Sequence, residues 1–160
     1  NRAIVEESIA ILEKGKYAFA FSSGMAAISA VFQSLKAGDH ILLPDDIYFA
    51  VRKLMEEVFK RWDLYCDYVD MTDCELIKKG IKPNTALIWV ETPSNPQLKL
   101  SDIAEIAEIA ASYCKTIVLT GGEPLMWNLE ILTKRLKELG CQIHITENLE
   151  GLEVELAPYE

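Results

Sequence analysis

KTIVLTGGEP, residues 115–124, is the stretch on which the reading of the chain turns. Its centre, TIVLT, is a short, continuously apolar run, and it reads as a strand covered on both faces. Gly121-Gly122-Glu123-Pro124 then predicts a tight strand-to-helix turn. The glycines are free to take positive φ, and the Glu123 carboxylate stands near a helix start. Residues 128–139 carry a helical spacing, and 142–145 form a second strand. Strand, helix and strand at this spacing make one parallel crossover unit.

Working outward, the same alternation fills the rest of the chain. Residues 4–14 put Val5, Ile9 and Leu12 on one helical face, with Gly15 as the stop. YAFAF, residues 17–21, reads as a buried strand, and Ser22-Ser23-Gly24 leads into a helix over 25–36 with Ile28, Val31, Phe32 and Leu35 in one stripe. Gly38 ends it. HILL, residues 40–43, is the next strand, and Asp45-Asp46 are read as helping to start a helix over 48–62. That helix presents Val51, Leu54, Met55, Val58 and Trp62 on one face. A strand over 64–69, a short helix begun by Thr72-Asp73 and ended near Gly80, and the strand TALIWV at 85–90 follow. A proline-rich loop, 91–96, leads to a helix capped by Ser101 or Asp102, with Ile103, Ile106, Ala107 and Ala110 facing inward. The pattern predicts a single domain over 1–160: a three-layer α/β/α sandwich with a mostly parallel sheet. In the tail, 148–160, Leu152, Val154 and Leu156 alternate with Glu153 and Glu155, which predicts an antiparallel edge strand.

Composition narrows the partners. With 16 basic against 25 acidic residues the net charge is −9, which argues against a nucleic-acid partner. No apolar run approaches the roughly 20 residues of a membrane helix. A soluble cytoplasmic protein, monomer or homodimer, is the expectation. The start at Asn1, without an initiator methionine, suggests a fragment. Cys66, Cys74, Cys114 and Cys141 form no CxxC pair and read as scattered thiols of a reducing compartment. His40 and His144 stand singly beside apolar strands and read as structural, so no metal site is expected.

Five stretches within residues 1–115 carry a resemblance: GKYAFAFSSGMAAISAVF, LKAGDHILLPDDIY, RWDLYCDYVDMTD, IKPNT and WVETPSNPQLKLSDIAEIAEIA. Together, in this order, they resemble the Cys/Met-metabolism family of PLP-dependent enzymes, which includes cystathionine gamma-synthase and beta-lyase. The resemblance implies that Ser23, Gly24 and Met25 hold the cofactor phosphate at a helix N-terminus. It implies too that Tyr48 stacks on the pyridine ring and that Asn95 contacts substrate and cofactor. Three departures accompany it. The carboxylate that pairs with the pyridine nitrogen in the family is replaced where the strand runs on as Leu119-Thr120-Gly121. The Schiff-base lysine has no counterpart, Lys115 entering at the opposite end of its strand. The family's Gly-Gly-Thr after Tyr48 is Phe49-Ala50-Val51, bulk that is expected to fill the phosphate side.

Residues 116–145, TIVLTGGEPLMWNLEILTKRLKELGCQIHI, resemble instead a radical S-adenosylmethionine enzyme of the 7-carboxy-7-deazaguanine synthase type. That resemblance implies contacts from Gly121, Gly122 and Glu123 to S-adenosylmethionine, although no CxxxCxxC loop is present to hold a cluster. The two resemblances predict a chimera joined at 115/116: a designed domain with a structural role, no enzymatic activity and no cofactor. Two other readings stay open. One is an inactive remnant of the PLP family that keeps weak phosphate or PLP binding, with an adventitious anion at the helix N-terminus. The other is weak S-adenosylmethionine binding at the GGEP turn.

Overall fold

In a computed structural model, the strand HILLP sits at the heart of the molecule with all five residues buried. The structure describes residues 1–12, 16–113, 116–120, 130–140 and 142–145. In chain order the elements are α1 (Arg2–Leu12), α2 (Gly24–Gln33), β1 (His40–Pro44), α3 (Phe49–Glu57), a 3-10 turn (Phe59–Trp62) and β2 (Tyr65–Val69). Then come α4 (Cys74–Gly80), β3 (Thr85–Glu91), α5 (Ile103–Tyr113), β4 (Thr116–Thr120), α6 (Glu130–Glu138) and β5 (Gln142–Ile145).

The described strands form one sheet in the order β2-β1-β3-β4-β5. Every neighbouring pair is parallel. The strand pleat explains the two cores, because successive side chains leave a strand on opposite faces. Leu42, Ile88 and Val90 pack with Ile77 of α4, Ile106 and Ala110 of α5, and Leu136 of α6. Ile41, Leu43, Leu87 and Trp89 pack with Phe32 of α2, Val51 and Met55 of α3, and Phe59. Helices thus cover both faces of an open, mostly parallel sheet, the α/β architecture expected. The predicted antiparallel tail strand lies outside the described residues.

Local signals explain several element ends. Asp73 caps α4, its side chain accepting from the Glu75 and Leu76 amides. Asp102 accepts from the Glu105 amide at the start of α5. Gly38 takes φ +89 between α2 and β1, a conformation open to glycine without a Cβ clash. Among the described residues no helix is long and apolar enough to cross a membrane.

Two expectations fail. The helix predicted over 48–62 is divided at Val58, which caps the end of α3 at Glu57 before the 3-10 turn Phe59–Trp62. The break turns Phe59 into the core, edge-on to Phe32 at 5.5 Å, and leaves Val58 and Trp62 exposed. Burying one more large aromatic outweighs continuing the stripe. Residues 17–21 are not a strand: Tyr17 and Phe19 are each 70% exposed and Phe21 is 46% exposed. Their tie to α1 is the Ala20 amide donating to Glu6 Oε1 at 2.7 Å. No ladder joins this segment to the sheet among the described residues.

Candidate functional site

In a parallel sheet every strand ends at the same edge, and the helices that follow start there. The end of β1 delivers Asp45, Asp46 and Tyr48; β2 delivers Asp70; β3 delivers Glu91 and the loop after it. α2 reaches the opposite edge before β1 begins, so its N-terminus, Ser23 to Met25, also lies at this carboxyl edge. Topology therefore gathers Ser23, Gly24, Met25, Tyr48 and Asn95, five of the predicted site residues, along one edge. Gly121, Gly122 and Glu123 lie outside the described residues.

Ser23 is the N-cap of α2, its extended backbone allowing Oγ to accept from the Ala26 amide at 3.2 Å. Its carbonyl accepts from the amides of Ala26 and Ala27, both at 3.1 Å. The Gly24 and Met25 amides make no hydrogen bond among the described residues, as befits the first turn of a helix. A Cβ placed on Gly24 would meet nothing within 4 Å, so the approach to these amides is open. Tyr48 precedes α3 with no side-chain cap and its ring is half exposed. The bulk after Tyr48 divides: Val51 is buried in the core, whereas Phe49 is exposed with Lys53 Nζ 5.2 Å from its ring centroid.

The loop after β3 folds back on itself and onto the edge. The Ser94 amide donates to the Lys99 carbonyl at 3.0 Å, and the Lys99 amide donates to Ser94 Oγ at 3.0 Å. Ser94 Oγ donates in turn to Asp46 Oδ2. Lys99 Nζ bridges Asp45 at 3.1 Å and Asp70 at 3.3 Å. Asp45 and Asp46 thus anchor this loop, and α3 starts without a side-chain cap, which corrects their reading as helix starters. The Asp70 carboxyl is held below its ordinary range, first by the Thr72 amide and hydroxyl and then by Lys99.

Glu91 is the feature the motifs missed. It is 8% exposed, and burial first, then the Asp46 charge, push its carboxyl up to about 7 against a hydrogen bond from the Asn95 amide. A charged residue closing the apolar run TALIWV was the signal in the sequence. At the opposite edge His40 is buried, with Nδ1 2.8 Å from Thr85 Oγ1 and Nε2 3.5 Å from Asp67. Burial holds it below the ordinary histidine value, a structural role. Cys66 and Cys74 are free, half-buried thiols.

An open parallel sheet with an exposed helix N-terminus and a half-exposed aromatic at its carboxyl edge defines a class of anion- and cofactor-binding α/β proteins. Within that class, residues 1–121 match the profile of the Cys/Met metabolism PLP-dependent enzymes, and the chain belongs to that family. It is 51% identical to cystathionine beta-lyase MetC of Staphylococcus haemolyticus over 71% of this chain and 29% of that protein. To the cystathionine gamma-lyase of Bacillus subtilis it is 34% identical over 94% of this chain and 47% of the relative. The crystal structure of cystathionine gamma-lyase from Lactobacillus plantarum, solved with L-serine, superposes with a TM-score of 0.77 at 35% identity. That likeness covers 89% of this chain and 36% of the other.

These findings overturn the two-family reading. The family match runs across 115/116 without interruption. The gamma-lyase likenesses cover more of the chain than a match ending at residue 121 could. β4 also pairs in parallel with β3, Val90 opposite Leu119 and Glu91 opposite Thr120, so the sheet continues across the join. A designed chimera and a radical S-adenosylmethionine segment are both set aside. So are the expectations of no enzyme and no cofactor, since the family consists of PLP-dependent enzymes. Those expectations leaned on a lysine and an aspartate not found here. Yet the chain spans under a third of the length of the first relatives it matches, 28–31%.

The residues present fit the phosphate end of PLP. Two amides at a helix start that have no hydrogen bond among the described residues, an open approach over Gly24 and the half-exposed Tyr48 ring suit a phosphorylated aromatic ring.

Proposed function

We propose that the chain forms the phosphate- and ring-binding part of a PLP-dependent enzyme acting on sulfur amino acids of the cystathionine type. The observation that carries this reading is the open N-terminus of α2 on the same sheet edge as Tyr48, inside a segment that belongs to the family. The Gly24 and Met25 amides donate to the phosphate, and the positive end of α2 favours its charge. Tyr48 supplies a flat apolar face for the ring. Asn95, next to the Ser94–Asp46 link, offers its side-chain carboxamide to the cofactor or substrate. PLP when bound supplies an electron sink for charge developing next to the substrate amine. The remainder of the reaction depends on groups beyond those placed here.

Titration of the chain with PLP, read by absorbance and ligand fluorescence, tests this. Saturable binding that inorganic phosphate competes away is expected, and Tyr48→Ala weakens it up to roughly tenfold through loss of the stacking face. An absence of saturable binding by the unaltered chain contradicts the proposal.

A further inference from the structure

We propose that Lys99 is a positioning residue for the cofactor edge: it joins the connections after β1, β2 and β3, and so holds Tyr48 and Asn95 in one arrangement. This deepens the reading of the carboxyl edge as a PLP site and rests on it.

Lys99 acts through both its backbone and its side chain. Its carbonyl accepts from the Ser94 amide at 3.0 Å, and its amide donates to Ser94 Oγ at 3.0 Å. The Leu98 amide donates to the Ser94 carbonyl at 2.9 Å, so residues 94–99 close into a turn that carries Asn95. Ser94 is buried, and its Oγ passes the link on by donating to Asp46 Oδ2. The Lys99 side chain reaches out from the same turn, placing Nζ 3.1 Å from Asp45 and 3.3 Å from Asp70.

Asp45 is the receiving end. Its amide donates to the Val69 carbonyl at 2.8 Å, its carbonyl accepts from Arg52 Nη2 at 2.7 Å, and its carboxylate takes Lys99. The Tyr48 carbonyl accepts from the Val51 and Arg52 amides at 2.9 and 3.3 Å. Tyr48 is therefore fixed to α3 on one side and, through Asp46 and Asp45, to Ser94 and Lys99 on the other. Tyr48 is half exposed and Asn95 is exposed, so the backbone on which each stands fixes it more than its own packing does.

Positioning and simple charge balance make opposite predictions. Were Lys99 only a counter-charge, removing the Asp45 carboxylate would leave the edge less negative and tighten a phosphate-bearing ligand. A positioning Lys99 needs Asp45 as its anchor, and the same change weakens that ligand. Ion pairs as exposed as these contribute little to stability, so the fold survives either change.

The test compares Lys99→Met, Lys99→Arg and Asp45→Ala with the unaltered chain, first by amide NMR without ligand and then by PLP titration. Without ligand, Lys99→Met is expected to shift the Tyr48 amide and Asp45→Ala the Asn95 amide, each in the other loop, with urea midpoints little moved. With PLP, Lys99→Met and Asp45→Ala each weaken binding roughly tenfold, a size typical of side chains coupled in one network, and Lys99→Arg recovers most of the loss. Lys82→Met removes a cation paired with Asp67 at the opposite edge and changes neither readout. Tighter or unchanged PLP binding by Asp45→Ala, or shifts confined to the altered loop, overturns the positioning role. Failure of the unaltered chain to bind PLP sinks the site reading alone, and the ligand-free shifts then decide the role of Lys99.

Discussion

Residues 40–44, HILLP, and residues 17–21, YAFAF, look alike in the sequence and end in opposite places. The first is wholly buried, with β2 paired along one side and β3 along the other. The second keeps Tyr17 and Phe19 largely in solvent and has no ladder among the described residues. The exposed run is the more apolar of the two, so it is the neighbours that differ in the deciding way. A strand is made by the hydrogen-bonding partners on its flanks and the layers above and below it, so a run of apolar residues is necessary for a central strand but does not create one.

Core truncation gives the largest expected difference between the two regions. Leu42→Ala removes a fully buried side chain whose methyl groups face Gly80 and lie in the core with Ile88 and Ile106. Urea denaturation should show a loss of about 2–5 kcal/mol. A loss below about 1 kcal/mol would mean β1 is not the spine of the sheet. At the other end of the scale, Phe19→Ser alters a side chain 70% exposed and should change stability by no more than about 0.5 kcal/mol. A larger loss would show that the segment is covered in solution, and the contrast would dissolve.

Glu91 adds a pH dependence to the same edge, with a sign that can be stated. Its folded value, about 7, lies above the ordinary 4.5, so its contribution favours the fold fully below pH 4.5. That contribution is lost as pH rises through 7, and Glu91→Gln should be the flatter of the two proteins across this window.

Much of this was legible in the residues. The continuous apolar runs HILL and TALIWV became β1 and β3, Asp73 became a cap, and Gly38 became a positive-φ stop, because each signal is local or depends only on period. Ser23, Gly24, Met25, Tyr48 and Asn95 are named from motifs as candidates for a cofactor site, and topology places them on one edge. What could not be read depends on three-dimensional neighbours. The break at Val58 follows from room for Phe59 beside Phe32. The second role of Asp46 follows from a loop 48 residues away in sequence. The two-family reading failed for a different reason: it rested on a resemblance over residues 116–145 alone, and the family match across 115/116 and the gamma-lyase likenesses over most of the chain outweigh it.

The start of α2, on the same sheet edge as Tyr48, is where the cofactor phosphate is proposed to bind. Amide chemical shifts followed during PLP addition test it most directly. The account predicts that Gly24, Met25 and Tyr48 move first and saturate together, while Tyr17 and Phe19 stay where they are. Saturating shifts elsewhere, with Gly24 and Met25 unmoved, would contradict it.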